Sequence, residues 1–361
     1  MKVKNYKKLC KFCDKVLLSK KSTIYTHAVT DLHILKEHPV ILDKYFNISN
    51  YSNKDTSSLN FKILKYLKDL FFGNKNFKLS NFQKNGCDVI IISNLINEKH
   101  LSDSKDFYFG NLEKKLNNEG LKTFTVLRNF TEIKYLKLKL KLKLSKNKII
   151  LFNTTHIINE IYFLIKAITE FFKIKKKINK LKILNLKSSF MNLLSFRSVL
   201  SNLRLSSQVK ELIKITKPSL LIITFEGHAW ERVLIKTIRS INPSIKIAAY
   251  QFTSMTRFQH SIFRKLRKDY NPDLILTTGE VTKKKFIREY NSETKIIGSN
   301  KSTRSNDKFR LNKINSDKKI NFLFLPEGFY SETLILYNFA VKCAMMYPNF
   351  NFTFKCHPMI N

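Results

Sequence analysis

The residues able to do chemistry in this chain stand at the ends of short aliphatic runs. Leu220–Phe225 leads into Glu226-Gly227-His228, a carboxylate and an imidazole two positions apart around a glycine. These are residue types of general acid–base catalysis. A carboxylate whose pKa is raised by partial burial takes a proton from a hydroxyl, and an imidazole, which titrates near neutrality, shares or replaces that role. Gly227 permits close approach. A second reading stands beside this one: a carboxylate here also stabilises a helix N-terminus through the macrodipole. Trp230 and Glu231 follow one helical turn later, placed to orient Glu226 or simply to pack. Two further strand ends carry Gly298-Ser299, a turn whose backbone N–H groups suit phosphate, and Cys356-His357-Pro358.

A separate cluster opens the chain. Cys10 and Cys13 are spaced CxxC, then His27 and His33 follow after thirteen and five residues. This fits a loose two-Cys, two-His zinc template, with thiolates from a turn and imidazoles from one helix face. His38, before Pro39, is an alternative ligand. The competing reading is an amphipathic helix with a polar face beside two reduced cysteines.

The elements that position these residues follow an α/β pattern. Val89–Ile92 reads as a buried strand, then Phe107, Leu112 and Leu116 recur at helical spacing up to Gly120, and Phe124–Leu127 reads as a second strand. Strand, helix, strand in that order implies a parallel sheet. The pattern returns with strands Leu220–Phe225, Lys246–Tyr250 and Leu274–Thr277, a strand ending at Ile297, and helices from Ala229 and Glu280. A third unit holds strand Asn321–Leu325, helix Glu332–Met346 and strand Phe352–Lys355. Polar residues gather at the strands' carboxyl ends (Glu226, Gln251, Gly279, Gly298, Glu327, His357), the edge at which open parallel sheets bind ligands. Residues 50–85 read as a helix flanked by loops.

Residues 134–187 differ in kind. KYLKLKLKLKLSKNK alternates strictly, and the stretch from Ile149 reads as one long amphipathic helix. Fifteen lysines face only Glu160 and Glu170. Such a segment suits an anionic bilayer surface; a solvated helix on the exterior is the competing reading. Nucleic acid recognition calls for more Arg and interleaved aromatics than stand here.

Across 361 residues, 66 Lys+Arg face 27 Asp+Glu, a formal net charge of +39, and Lys outnumbers Arg by 55 to 11. Only 8 Gly and 7 Pro occur, where average usage gives roughly 25 and 18. The abundant Lys, Phe, Ile and Asn share A/T-rich codons, so nucleotide bias accounts for much of the charge. At 43% hydrophobic and 26% charged, the composition excludes wholesale disorder. No apolar stretch of about 18 residues lacks charge, which argues against a spanning helix. The start, MKVKNYKKLCKFCDK, has no apolar run after its basic residues, and five cysteines read as reduced thiols, so a cytoplasmic location is expected.

In order along the chain, Phe225-Glu226-Gly227, Tyr250-Gln251, Pro272-Asp273, Gly298-Ser299 and Cys356-His357-Pro358 together resemble the GT-B glycosyltransferases of bacterial surface carbohydrate synthesis. The acid-Gly and His-Pro pair is similar to that of bacterial polysialyltransferases and sialyltransferases, and more distantly to capsule and teichoic-acid polymerases. Asp106-Phe107-Tyr108-Phe109-Gly110 resembles a stretch of uncharacterised lipopolysaccharide-synthesis proteins. The resemblance covers roughly residues 85–130 and 215–361.

It implies an α/β, GT-B-like fold of two Rossmann-like domains with parallel sheets. Residues 1–48 form an N-terminal segment with the Cys/His cluster. Residues 49–300 form the acceptor domain, with 134–187 as a basic insertion, and 301–361 begin a nucleotide-sugar domain whose remainder lies beyond the chain. It further implies a nucleotide-sugar donor, a glycan or glycolipid acceptor at the inner membrane face, and, with no DxD motif, a metal-independent reaction. Glu226 would be the base, His228 its partner, and His357 a hydrogen-bond donor to the leaving phosphate, with Pro358 fixing the turn and Gly298 and Ser299 cradling phosphate. Two alternatives stay open: a basic, zinc-containing nucleic-acid-binding protein, and another GT-B chemistry such as sugar-nucleotide epimerisation or glycerophosphate transfer.

Overall fold

A computed structural model describes residues 3–33, 86–97, 101, 105–131, 148–151, 154–180, 196–253, 255, 260–290, 293–299, 320–326 and 330–356. The chain divides into two compact units, Met1–Lys301 and Ser302–Asn361.

The first unit is built on a seven-stranded, wholly parallel sheet. Its strands are β1 (Val89–Leu95), β2 (Thr123–Asn129), β3 (Lys148–Ile150), β4 (Leu220–Thr224), β5 (Lys246–Gln251), β6 (Leu274–Thr277) and β7 (Glu293–Ile296), in the order β3-β2-β1-β4-β5-β6-β7. Val89–Ile92 and Leu221–Thr224 are buried on both faces. Continuous aliphatic runs of this kind form interior strands of parallel sheets. The order reverses between β1 and β4, which makes their carboxyl ends the topological switch point of a doubly wound, Rossmann-like sheet.

Helices cover both faces. One layer holds α5 (Phe196–Thr216) and α6 (Ala229–Ile241), whose Val209, Leu212, Leu234, Ile235 and Ile238 pack on Ile90, Ile92, Leu221, Ile223, Ile247 and Ala249. The other face buries Val89, Ile91, Ile222, Ala248 and Tyr250 against Phe109, with α3 (Leu112–Asn118) supplying Leu112 and Leu116. The helix expected from Phe107 begins only at Leu112. Residues 106–110 instead form a closed turn, in which Asp106 and Gly110 exchange backbone hydrogen bonds at 2.9 Å and Asp106 Oδ1 accepts from the N–H groups of Tyr108 and Phe109. A short side chain bonding its own backbone outcompetes a first helical turn. α7 (Glu280–Glu289) links β6 to β7.

Residues 148–151 and 154–180 of the basic stretch belong to this architecture; the alternating residues 134–147 lie outside the described residues. Ile149 and Ile150, expected inside a long helix, join Lys148 in the edge strand β3, in register with Thr125–Leu127. The helix starts only at α4 (Ile157–Lys180). Ile149 and Ile150 are buried in different core clusters, as the alternating side chains of a strand covered on both faces require. α4 packs on α5 through Phe163, Ala167 and Ile174. Arg204 of α5 grips the fully buried Glu160 through two nitrogens, at 2.8–2.9 Å.

α1 (Val3–Leu17) and α2 (Ile24–Ala28) pack into the same core as α4, α5 and α6. Asp14 ties α1 to the segment between β5 and β6: Arg264 Nε donates to Oδ1 at 2.6 Å, and His260 Nε2 lies 2.9 Å from Oδ2. Burial alone would raise the Asp14 pKa, but these partners outweigh it and hold the carboxyl below its ordinary value.

The second unit comprises a parallel pair, β8 (Asn321–Phe324) and β9 (Asn351–Phe354), joined by α8 (Tyr330–Met346). These match the expected third unit within two residues at each boundary. Phe322 stacks on Phe352 with ring centroids 5.3 Å apart.

Candidate functional site

The carboxyl ends of β1, β2, β4 and β5 bring together an acid–base cluster. Glu226 and His228 follow β4, with His228 Nε2 3.1 Å from Glu226 Oε2, and both side chains are partly exposed. Thr253, beyond β5, donates to Glu226 Oε1 at 2.7 Å and accepts from Gln251 Nε2 at 3.1 Å. Four side chains thus form one chain of hydrogen bonds across the ends of neighbouring strands.

The turn holding Glu226 and His228 is organised from below by Glu231 on the first turn of α6. This carboxyl is fully buried; it accepts from the Glu226 N–H at 3.0 Å and from the His228 N–H at 2.8 Å. A carboxylate three residues into a helix, reaching back to the N-cap N–H, is half of a capping box. Glu231 therefore performs the helix-start role weighed for Glu226, which leaves the Glu226 carboxylate to face outward. Burial pushes the Glu231 pKa up to about 7, Glu226 adding to the rise while His228 and the two N–H groups oppose it. Burial would lower the His228 pKa, but the bond to Glu226 and the charges of Glu231 and Glu226 raise it above 6.5.

Gly227 between them has φ +80°, and a Cβ there would lie 2.6 Å from the Ile262 nitrogen and 2.7 Å from the Ser261 carbonyl carbon. The segment it touches is anchored by Arg232, a buried guanidinium that donates to the Asn271 side chain at 2.6 Å, the Tyr290 hydroxyl at 2.9 Å and the Ser261 carbonyl at 3.1 Å.

β2 contributes Arg128, whose guanidinium lies 4.0 Å above the Trp230 ring. Burial lowers its pKa to about 10, with Glu231 opposing the shift, so it stays cationic at neutral pH. β1 contributes Asn94. The buried oxygens Asn94 Oδ1 and Gln251 Oε1 have no hydrogen-bond partner among the described residues. Unpaired buried acceptors are rare, and these two lie beneath the surface at the ends of β1 and β5. Arg128 and Asn94 went unread in the sequence, although each stands at a strand's carboxyl end like Glu226; the same rule, applied to β1 and β2, finds them.

The other expected site residues distribute differently. Gly298, at φ +83°, follows β7 three strands from β4, about 14 Å by strand spacing. Its carbonyl accepts from the Tyr250 hydroxyl at 3.1 Å, and Ser299 bonds the same hydroxyl, so both are tied to the end of β5 and not to Glu226. His357, Pro358, Glu327 and His38, like residues 50–85, lie outside the described residues.

The zinc reading finds no support among the described residues. Among the described residues no group of three His, Cys, Asp or Glu side chains is arranged to hold a metal ion. The CxxC pair lies within α1, not in a turn, and three residues is also the spacing of one helix face: Cys10, Cys13 and Val16 are buried together in the core. His27 and His33 do meet, but as a hydrogen-bonded chain. Arg264 Nη1 lies 3.5 Å from His33 Nδ1, His33 Nε2 lies 3.3 Å from His27 Nδ1, and His27 Nε2 lies 3.0 Å from Ser22 Oγ. A guanidinium only donates, so His33 Nδ1 accepts and each ring carries its proton on Nε2. Burial, with nearby arginines, lowers the His27 pKa to about 3 and that of His33 well below 6.5; both are neutral core residues.

Fold and site define a doubly wound, Rossmann-like α/β protein with a carboxylate–imidazole cluster at the switch point of its larger sheet. No family model and no curated protein matches the sequence. Among solved structures it is similar to the UDP-GlcNAc 2-epimerase of Neisseria meningitidis bound to UDP-GlcNAc. That match has 10% identity and a TM-score of 0.39, and spans 75% of this chain and 66% of the other.

Proposed function

We propose that the chain is an enzyme of GT-B type that transfers a sugar from a nucleotide-sugar donor to a glycan or glycolipid acceptor of the cell surface, such as lipopolysaccharide or capsule. The observation that carries this reading is the Glu226–His228 hydrogen bond at the carboxyl end of β4, beside the switch point. In glycosyl transfer the acceptor hydroxyl loses its proton as it attacks the anomeric carbon. Glu226, oriented by Thr253 and by the turn that Glu231 holds, accepts that proton, and the bond to His228 Nε2 shares the positive charge that arrives with it. Arg128 supplies a fixed cation for the departing phosphate. By the family resemblance, His357 would donate a hydrogen bond to that phosphate with Pro358 fixing its turn, Gly298 and Ser299 would cradle phosphate, and no metal takes part.

The test is transfer from radiolabelled nucleotide sugars to lipid-extracted glycans. Glu226→Gln keeps the shape and removes the base, so a loss of about 10²- to 10⁴-fold in rate with unchanged thermal unfolding is expected. Full transfer by Glu226→Gln would remove the base assignment. Release of free nucleotide with inversion or rearrangement of the sugar itself would favour epimerase chemistry at the same cluster.

A further inference from the structure

α4 is amphipathic in an unusual sense, because its outward face is apolar too. The inward face carries Glu160, Phe163, Ala167, Glu170 and Ile174, all buried. Glu160 is held by Arg204 and Glu170 by the Thr26 hydroxyl, so both acids of the helix are turned inside and engaged. On the opposite side, Ile158, Ile161, Ile165, Ile168 and Phe172 are exposed at 68%, 49%, 56%, 37% and 60%. At 3.6 residues per turn these five share a band about 80° wide, facing away from the core. Lys166, Lys173 and Lys177 line one flank of the band, Lys175 lies on the other, and Lys176 extends its C-terminal end.

A row of large apolar side chains on the solvent side of a helix marks an interaction surface. The charge pattern selects its occupant. A second copy of the chain would set one lysine-flanked band against another, and neither copy has an outward acid on this helix to pair with those lysines. No helix among the described residues is long and apolar enough to cross a membrane, and α4 is fixed to α5 along its inner face. A surface that is apolar below and anionic above suits both features: isoleucine and phenylalanine enter the acyl boundary while lysine ammonium groups reach phosphate headgroups. We propose that the outer face of α4 docks this protein, lying flat, on an anionic lipid bilayer. The inference stands apart from the catalytic reading, since none of these side chains belongs to the switch-point cluster.

Flotation of the purified full chain with vesicles tests it. Vesicles of phosphatidylcholine and phosphatidylglycerol in equal parts should carry the protein upward, and vesicles of phosphatidylcholine alone should not. Ile161→Ser combined with Ile165→Ser removes exposed apolar surface without touching the core. Binding to the anionic vesicles should fall at least tenfold, with unchanged circular dichroism and unfolding temperature. Lys175→Gln with Lys177→Gln should weaken binding and flatten its dependence on salt. Binding by the isoleucine variant equal to wild type, or equal binding to neutral vesicles, would overturn the proposal. So would light scattering that shows a wild-type dimer reduced to monomer by the isoleucine substitutions, which would assign the face to a second copy.

Discussion

At the residue scale, two positions decide how Glu226 is presented. Gly227 is constrained twice, by a left-handed φ and by the backbone of Ser261 and Ile262 where a Cβ would stand. Gly227→Ala should therefore lose about 2–4 kcal/mol in urea unfolding, from strained φ and displaced backbone together; a loss below 1 kcal/mol would mean that the 261–262 segment yields easily. Glu231 is the second position. Its folded pKa, about 7, lies above the ordinary 4.5, so the folded state binds the extra proton between those values. The stabilisation this gives is complete below about pH 4.5 and is lost as pH rises through 7. Glu231→Gln keeps an acceptor for the Glu226 and His228 N–H groups but cannot ionise. It should gain about 1–3 kcal/mol on wild type between pH 5 and pH 8, read as the difference between urea midpoints at the two pH values.

At the element scale, what was legible is what local pattern controls. Leu220–Thr224, the helix starts at Ala229 and Glu280 and the strand Leu274–Thr277 lie where aliphatic runs and polar strand ends put them, because a strand buried on both faces cannot hide its composition. Glu226 and His228 were found for the same reason. The rest depends on partners distant in sequence. Cys10 and Cys13 at i, i+3 satisfy a metal template and a helix face equally, and only the core shared with α4 and α5 decides between them. The buried Arg232, bonded to residues 29 to 58 positions away, looks like any surface arginine of an amphipathic helix. The paired histidines of the α2 segment make this testable. Both are neutral in the fold with pKa values below 6.5, so their contribution to stability is complete above about pH 6.5. For His27 it is lost as pH falls toward 3, where the unfolded chain takes up protons that the fold refuses, and His33 acts in the same direction. His27 alone should cost about 1.4 kcal/mol per pH unit through that range. His27→Gln with His33→Gln, though less stable at pH 7.5, should show a shallower fall in thermal stability toward pH 5; an unchanged slope would place the acid sensitivity elsewhere.

At the scale of the whole molecule, the charge and the fold pull against each other. Cationic side chains outnumber acidic ones by 66 to 27, a surplus of 39. The acids that matter to packing are committed to well-defined partners: Asp14 to Arg264, Glu160 to Arg204 and Asp273 to Arg239 at 2.5 Å. Each of those arginines is largely buried, and close, sheltered pairs are screened little by salt. Among the described residues most lysines stand on outer faces, where repulsion acts over a screening length of about 30 Å at 0.01 M salt and about 3 Å at 1 M. Self-repulsion of this kind opposes the compact state. Raising sodium chloride through that range should therefore weaken the repulsion far more than the pairs, and the unfolding temperature should rise by several degrees. Sodium sulfate at equal ionic strength separates screening from a bound anion: equal stabilisation by both salts means diffuse screening. A rise confined to sulfate would instead point to one cationic site, and the Arg128 side of the switch point is the first place to look, through loss of the effect in Arg128→Gln. A fall in unfolding temperature with sodium chloride would show that the ion pairs outweigh the surplus charge, and would contradict the assignment of most lysines to repulsive outer faces.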